Sequence, residues 1–266
     1  MKILITNDDG FRAPGINLLT TIARKFADEV IVVAPTHSYS GMSHSITMNE
    51  PLFVELIERG DGLTIYSCSG SPVDCIKIAM DKLIAAGQEP DLILSGINHG
   101  SNSNISVIYS GTMGAATEGA FYGIPSLGLS YTSHDEGADM AVAGYWAERV
   151  IAMYLDNPMG LCWNVNIPSI AMDKVLGVRF ARQTRGVWRE DFIERQDPQG
   201  RDYYWMSGQF YNSEPEAEGT DEWCLSRGYV TIVPVQMDLT DYGVLELADA
   251  DGRTRGGRIA SFDCCV

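Results

Sequence analysis

The sequence predicts an α/β fold, an open, mostly parallel, doubly wound sheet with helices on both faces, followed by a β-rich C-terminal extension. Three observations carry this. Short apolar runs of the kind that form buried strands alternate with segments of helical periodicity from residue 2 to about residue 167. The first strand–helix–strand set closes within about the thirty-odd residues expected of one βαβ unit. After about Pro168 the helical segments weaken while strand-like runs continue.

The elements follow in order. Lys2–Thr6 is a short apolar run. Beyond an acidic turn, Pro14-Gly15 opens a helix in which Ile16, Leu19, Ile22, Ala23 and Phe26 recur at helical spacing. Arg24 and Lys25 near its end complement the helix dipole. Residues 29–34 form a second buried strand, stopped by Pro35, and a polar loop holding Ser40-Gly41 follows over 36–49. Residues 52–56 and 63–66 read as two strands joined by the turn Arg59-Gly60-Asp61-Gly62. Pro72 starts a helix with Ser71 as N-cap; its buried face carries Ile76, Met80 and Leu83, and Gly87 ends it. Residues 91–95 are the next buried strand, leading into a loop rich in Gly, Asn and Ser that runs to about Gly111. A small-residue helix (113–122), a strand (126–130), a longer helix (138–155) and a strand (161–167) complete the alternation. Residues 175–181, 203–207 and 229–235 read as further strands. The stretch 197–228 is too long for a plain loop in a compact core. It is either an extended arm or hairpin packing on another subunit, or a surface excursion. The expected division is a core over 1–190 and an extension over 191–266 that serves oligomerisation.

Bulk properties exclude whole classes of function. The chain has 266 residues and a formal charge of −16. Such an acidic chain repels polyphosphate backbones and anionic lipid, so neither a nucleic-acid polymer nor a membrane is an expected partner. A small phosphorylated substrate stays open, because a bound metal inverts the local field. The six cysteines, Cys68, Cys75, Cys162, Cys224, Cys264 and Cys265, show no Cys-x-x-Cys spacing and read as free thiols of a reducing compartment. The terminal Cys264-Cys265 pair reads either as ordinary tail residues or as a soft-metal or oxidisable pair. Met1 leads into the first strand with no basic and apolar leader before it, and no apolar stretch is long enough for a membrane span. A soluble, cytoplasmic protein is expected.

The chemistry gathers at strand ends. The first strand runs straight into Asn7-Asp8-Asp9-Gly10. Two adjacent carboxylates repel each other, and the arrangement makes sense if the strand ends near Asn7 and the turn lets both converge on a cation. The alternative is a solvated Asp-Asp-Gly turn. In a doubly wound sheet ligands bind beyond the carboxyl ends of the strands. The loops with Asp8 and Asp9, with Ser40, and with Asn98 should therefore open on one edge. Together these four residues offer hard oxygens of the kind that suits magnesium or manganese. Ser40 and Asn98 also read as ordinary turn residues. Ser110-Gly111-Thr112 precedes a helix whose N-terminal amides and dipole favour anions. That is a phosphate cradle or a plain N-cap. The four histidines, His37, His44, His99 and His134, fall in expected loops without zinc-ligand spacing. No Gly-x-Ser-x-Gly elbow, Walker A loop or Gly-x-Gly-x-x-Gly fingerprint is present.

These pieces in this order resemble a known family. Asn7-Asp8-Asp9-Gly10 with Ala13-Pro14-Gly15, Ser40-Gly41, Gly70-Ser71-Pro72-Val73-Asp74-Cys75, Ser95-Gly96-Ile97-Asn98, Tyr109-Ser110-Gly111-Thr112, Asn164 to Pro168, and Gly228 through Pro234 are similar to the stationary-phase survival proteins of the SurE family. The resemblance covers essentially the whole chain. It implies a Rossmann-like core and a metal-dependent phosphatase acting on nucleoside monophosphates. That is a 5′-nucleotidase, in some members also active on 3′-nucleotides and short polyphosphate. It implies one divalent metal per subunit, Mg2+ or Mn2+, and a homodimer or homotetramer built partly by exchanged C-terminal elements. Carried over by position, Asp8, Asp9, Ser40 and Asn98 would hold the metal, and Asn102, Ser110, Gly111 and Thr112 would surround the phosphate.

One departure matters. The family usually carries two arginines just before the ligand serine, where this chain reads Thr36-His37-Ser38-Tyr39. His37 or Tyr39 must then substitute, or substrate preference must differ. Direct attack by water and a phosphoaspartate both remain open. A haloacid-dehalogenase-like enzyme would need Asp-x-Asp, and position 10 is glycine. A nucleotide sensor without turnover, or an oligomer stapled by metal, are the readings outside enzymology.

Overall fold

Among the residues that a computed structural model describes, 1–250 apart from position 136, nine strands form one sheet. In chain order these are β1 (Lys2–Thr6), β2 (Glu29–Pro35), β3 (Val54–Gly60), β4 (Leu63–Cys68), β5 (Leu92–His99), β6 (Ser126–Tyr131), β7 (Cys162–Ile167) and β8 (Gly177–Phe180). After a separate hairpin, β9 (Gly186–Gln196) with β10 (Asp202–Asn212), the ninth sheet member is β11 (Tyr229–Val235). The helices are α1 (Pro14–Ala23), α2 (Pro72–Ile78), α3 (Gly111–Phe121), α4 (Ala141–Asp156), α5 (Asp221–Ser226) and α6 (Tyr242–Ala250).

The sheet order is β3-β4-β2-β1-β5-β6-β7-β11-β8. From β4 through β7 every neighbouring pair is parallel. β3 is antiparallel to β4, and β11 enters antiparallel to β7. The chain leaves β1 toward β2 on one side and returns to β5 on the other, so the switch point lies between the carboxyl ends of β1 and β5. Ligands bind there in open sheets of this Rossmann-like kind.

Side-chain alternation splits the core into two layers. Ile3 and Ile5 of β1 pack with Leu19 of α1 and Ala147 and Val150 of α4, whereas Leu4 packs with Ile76 of α2 and Ala115 of α3. Full burial of each such aliphatic side chain stabilises the fold by roughly 1.5–3 kcal/mol. α2 opens as its sequence dictates. The Ser71 hydroxyl accepts from the Asp74 N–H, and the Asp74 carboxylate accepts from the Ser71 N–H, a reciprocal cap. The helix stops sooner than Gly87. It passes into a wider π-type turn at Ala79–Leu83, closed by the Ile84 N–H donating to Ala79 O.

Two compact units divide the chain, Met1–Val235 and Gln236–Val266, the second described as far as residue 250. The sequence-based boundary at 190 falls inside β9. The arm begins earlier than expected, at Gly186, and β11 is inserted in the main sheet. Cys264 and Cys265 lie outside the described residues. Cys68, Cys75, Cys162 and Cys224 are free and buried.

Candidate active site

At the end of β1 the chain turns through Asn7. Its amide Nδ2 donates to Gly10 O at 2.9 Å, and its Oδ1 accepts from the Gly10 N–H at 3.2 Å. This turn carries Asp8 into the interior, where it is 4 % exposed. Burial pushes the Asp8 carboxyl up to about 6. A hydrogen bond from Thr112 opposes the rise, and the charge of neighbouring Asp9 adds to it. Asp9 is half-buried, and its Oδ2 accepts from the His99 N–H at 3.4 Å, fastening it to the end of β5.

The N-terminus of α3 lies against Asp8. An added Cβ at Gly111 would sit 2.9 Å from Asp8 Cβ and 3.0 Å from its Oδ2, so only glycine allows this approach. Thr112 is fully buried and its hydroxyl donates to Asp8 Oδ1 at 2.5 Å. That hydroxyl therefore orients the carboxylate; it is not turned to a phosphate as the sequence suggested. Ser110 caps α3 by accepting from the Met113 N–H at 3.0 Å, which leaves its own proton to donate. It also lines the cavity, so capping α3 does not remove it from the site.

Asn98 Nδ2 donates to Gly100 O at 2.8 Å, leaving the side-chain oxygen as its remaining acceptor. β5 runs past Ser95 to His99 because its backbone pairs again with β6 at Asn98–Ser130 and His99–Tyr131. At Gly15 in α1 an added Cβ would run into the Ile97 carbonyl oxygen, so α1 presses directly on the residue before Asn98.

The loop after β2 is tied down at several points. The Tyr39 N–H donates to Asp8 O at 2.7 Å, the Tyr39 hydroxyl to Ser69 O at 2.6 Å, and the Ser43 hydroxyl to Ile108 O at 2.6 Å. His44 Nε2 pairs with Glu118 at 2.8 Å, and Lys77 donates to the same carboxylate at 2.5 Å. Burial alone would raise Glu118, but these bonds outweigh it and leave the carboxyl below its usual value. The loop so held presents Ser40, whose hydroxyl lies 3.0 Å from that of Ser38. Tyr39 is spent on this anchoring. Neither it nor His37 lines the cavity, and no lysine or arginine is among the described residues that do.

Asn102 is 6 % exposed and held from beneath by a polar ladder. Its Nδ2 donates to Ser130 Oγ, its N–H to Asn166 Oδ1, and its carbonyl accepts from Asn164 Nδ2, at 2.8, 2.8 and 2.7 Å. Asn166 in turn donates to Asn164 Oδ1 at 3.0 Å. Sequence reasoning missed this support, although two asparagines at alternate positions of an otherwise apolar buried strand were the available signal.

Asp8, Ser40, Asn98, Asn102 and Ser110 line one cavity of about 620 Å3, with Asp9 tied to its margin through His99. Trp188, Glu190 and Met206 of the hairpin form another part of its wall. Among the described residues no three His, Cys, Asp or Glu side chains are grouped to hold a metal ion. The candidate donor set is thus two carboxylates with neutral serine and asparagine oxygens. It fits a hard divalent cation. Asp8 is a buried carboxyl that desolvation and a neighbouring carboxylate drive toward its proton, and a cation reverses that penalty.

Fold and cavity together define a Rossmann-like α/β protein with paired carboxylates at the switch point of its sheet. The chain belongs to the SurE family: residues 3–190 match the family model described as Survival protein SurE. The 5′-nucleotidase SurE of Flavobacterium johnsoniae is 44 % identical over 247 residues, covering 92 % of this chain and 94 % of that one. The 5′-nucleotidase SurE of Christiangramia forsetii is 46 % identical over 242 residues, covering 90 % and 92 %. A crystal structure of the SurE protein from Aquifex aeolicus superposes with a TM-score of 0.79 at 31 % identity, covering 95 % of this chain and all of that one.

Proposed function

We infer that this chain is a 5′-nucleotidase, hydrolysing the phosphate monoester of nucleoside monophosphates with one bound Mg2+ or Mn2+. The observation that carries the reading is Asp8, a buried carboxyl pressed against the N-terminus of α3 at the sheet's switch point. The names of the family's relatives agree with it. Asp8, Asp9, Ser40 and Asn98 would hold the cation, which when bound supplies Lewis acidity to the phosphoryl group. Ser110 and the first amides of α3, from Gly111 onward, donate to phosphoryl oxygens as charge develops there. Thr112 fixes Asp8, Asn102 is set in place by its ladder beside the phosphate, and one of the two aspartates takes the proton of the attacking water.

AMP incubated with the protein and Mn2+ is expected to release phosphate. Dialysis against a chelator abolishes the release, and Mn2+ or Mg2+ restores it. Turnover that survives full metal removal would refute the scheme, and AMP binding without phosphate release would favour a sensor. 3′-AMP and short polyphosphate in the same assay define the breadth of the site.

The second proposed element is assembly through residues 191–266. Phe192, Tyr204 and Trp205 of the hairpin are exposed, and Leu239 in the second unit is 95 % exposed. Apolar surface of this kind marks a contact site. Light scattering should give the mass of two or four copies; a monomer at micromolar concentration would rule this out. Among the described residues no helix is long and apolar enough to cross a membrane. We place the chain in the cytoplasm, in keeping with the free, buried state of Cys68, Cys75, Cys162 and Cys224.

A further inference from the structure

We propose that one face of the β9–β10 hairpin is the nucleobase wall of this cavity, with Trp188 as its specificity-determining residue. The inference rests on the nucleotidase reading and adds where the nucleoside end of the substrate lies. A cavity of about 620 Å3 far exceeds the needs of a phosphoryl group, and falls within the roughly 300–1,000 Å3 of whole small-molecule sites. The residues assigned above to cation and phosphate come from the sheet edge and the start of α3. The hairpin supplies chemistry of another kind.

Trp188 and Glu190 are two apart on β9 and so share one face. Their cross-strand partners Phe210 and Gly208, with Met206 opposite Phe192, lie on that same face. Gly208 lets the two strands approach closely, since an added Cβ there would sit 2.7 Å from the Arg189 carbonyl oxygen, and Trp188, Gly208 and Met206 together line the cavity with a flat ring, bare backbone and a thioether. The indole is fixed in place. Its Nε1–H donates to Ser106 Oγ at 3.2 Å, and Phe210 backs it with ring centroids 6.3 Å apart at 60°. It remains 38 % exposed while lining the cavity. Glu190, between these groups, repels a phosphate dianion and offers acceptors to ribose hydroxyls or base amino groups. The nucleotide is thereby admitted in one orientation, phosphate to Asp8 and base to the hairpin. Stacking on an indole favours any base over none, and the larger purines over pyrimidines.

Calorimetric titration of the Mn2+-loaded full chain with AMP and with ribose 5-phosphate, which has no base, tests this. Wild type is expected to bind AMP about ten- to a hundred-fold more tightly than ribose 5-phosphate, the range that stacking one base supplies. Trp188→Ala should bring AMP down to the level of ribose 5-phosphate, whose own binding does not change. Trp188→Phe should keep most of the preference. In turnover the loss for AMP should appear in KM. A preference that survives Trp188→Ala, equal loss for both ligands, or a wild type that binds AMP no better than ribose 5-phosphate would overturn the proposal. Should Trp188→Ala not fold, Met206→Ala and Trp188→Phe carry the same comparison. Base-dependent binding without hydrolysis would leave the inference standing and remove the nucleotidase reading. Equal hydrolysis and binding of both ligands would do the reverse.

Discussion

Asp8→Asn is expected to abolish phosphate release from AMP and, in the same molecule, to stabilise the metal-free protein. The loss should be about a thousand-fold or more, equivalent to roughly 4 kcal/mol of transition-state stabilisation. The gain in stability follows from the electrostatics of the apo site. Asp8 is almost fully buried and its carboxyl is pushed up to about 6. A carboxyl raised on folding binds its proton more tightly in the native state. Its contribution is therefore present below the unfolded carboxylate range and is lost as pH rises through about 6. At pH 8 the chelated wild type should carry a penalty on the order of 2–3 kcal/mol that the neutral asparagine lacks. The asparagine oxygen can still accept from Thr112, so the geometry is kept. Denaturant melts in chelator at pH 5 and pH 8 check this. A variant no more stable than wild type at pH 8 would show that Asp8 is not electrostatically frustrated. Wild-type-like turnover would remove it from the site altogether.

Asp221→Ala is expected to destabilise the protein by about 3 kcal/mol or more and to loosen the loop that carries Asn102. Asp221 is 1 % exposed at the first turn of α5. Its Oδ1 accepts from the Thr184 N–H, the Thr184 hydroxyl and the Glu222 N–H at 2.9, 2.5 and 2.8 Å. Its Oδ2 accepts from the Asn104 N–H at 2.8 Å. Glu222 adds bonds from the Ser103 hydroxyl and Asn104 Nδ2 at 2.5 and 2.7 Å. α5 is thus bolted both to Thr184, two residues ahead of the hairpin, and to the loop beside Asn102. Removing the carboxylate leaves two buried backbone N–H groups unpaired, each costing about 1–3 kcal/mol. Asp221→Asn keeps one acceptor and should cost clearly less. Urea unfolding measures the size of the effect. Hydrogen exchange should show protection lost at Thr184 and Asn104 together. Loss confined to one of the two segments would contradict the joint role.

The legible parts of this chain are those whose burial writes a one-dimensional pattern. β1 and β2 are apolar runs bounded by turn residues, and α2 announces its start through Ser71 and Pro72. Asp8, Ser40 and Asn98 could be singled out because topology alone sends the loops after parallel strands to one edge, and the three do line one cavity. β9 was missed for the opposite reason. It reads Gly-Val-Trp-Arg-Glu-Asp-Phe-Ile-Glu-Arg-Gln with both faces largely exposed, so no alternation marks it. The place of β11 was equally hidden, since nothing in Tyr229–Val235 states that its neighbours are β7 and β8. The Thr112 hydroxyl was assigned to a phosphate because a sequence shows a donor but not the acceptor that has already claimed it.

The insertion of β11 has a consequence for biosynthesis. Among the described residues Gly177–Phe180 finds its only sheet partner in a segment translated later, and the fully buried β7 keeps one edge unsatisfied until then. A nascent or prematurely terminated chain ending before Tyr229 would present that bare edge to other chains. Synthesis of this protein should therefore pass through an aggregation-prone stage that ends only when residues 229–235 leave the ribosome.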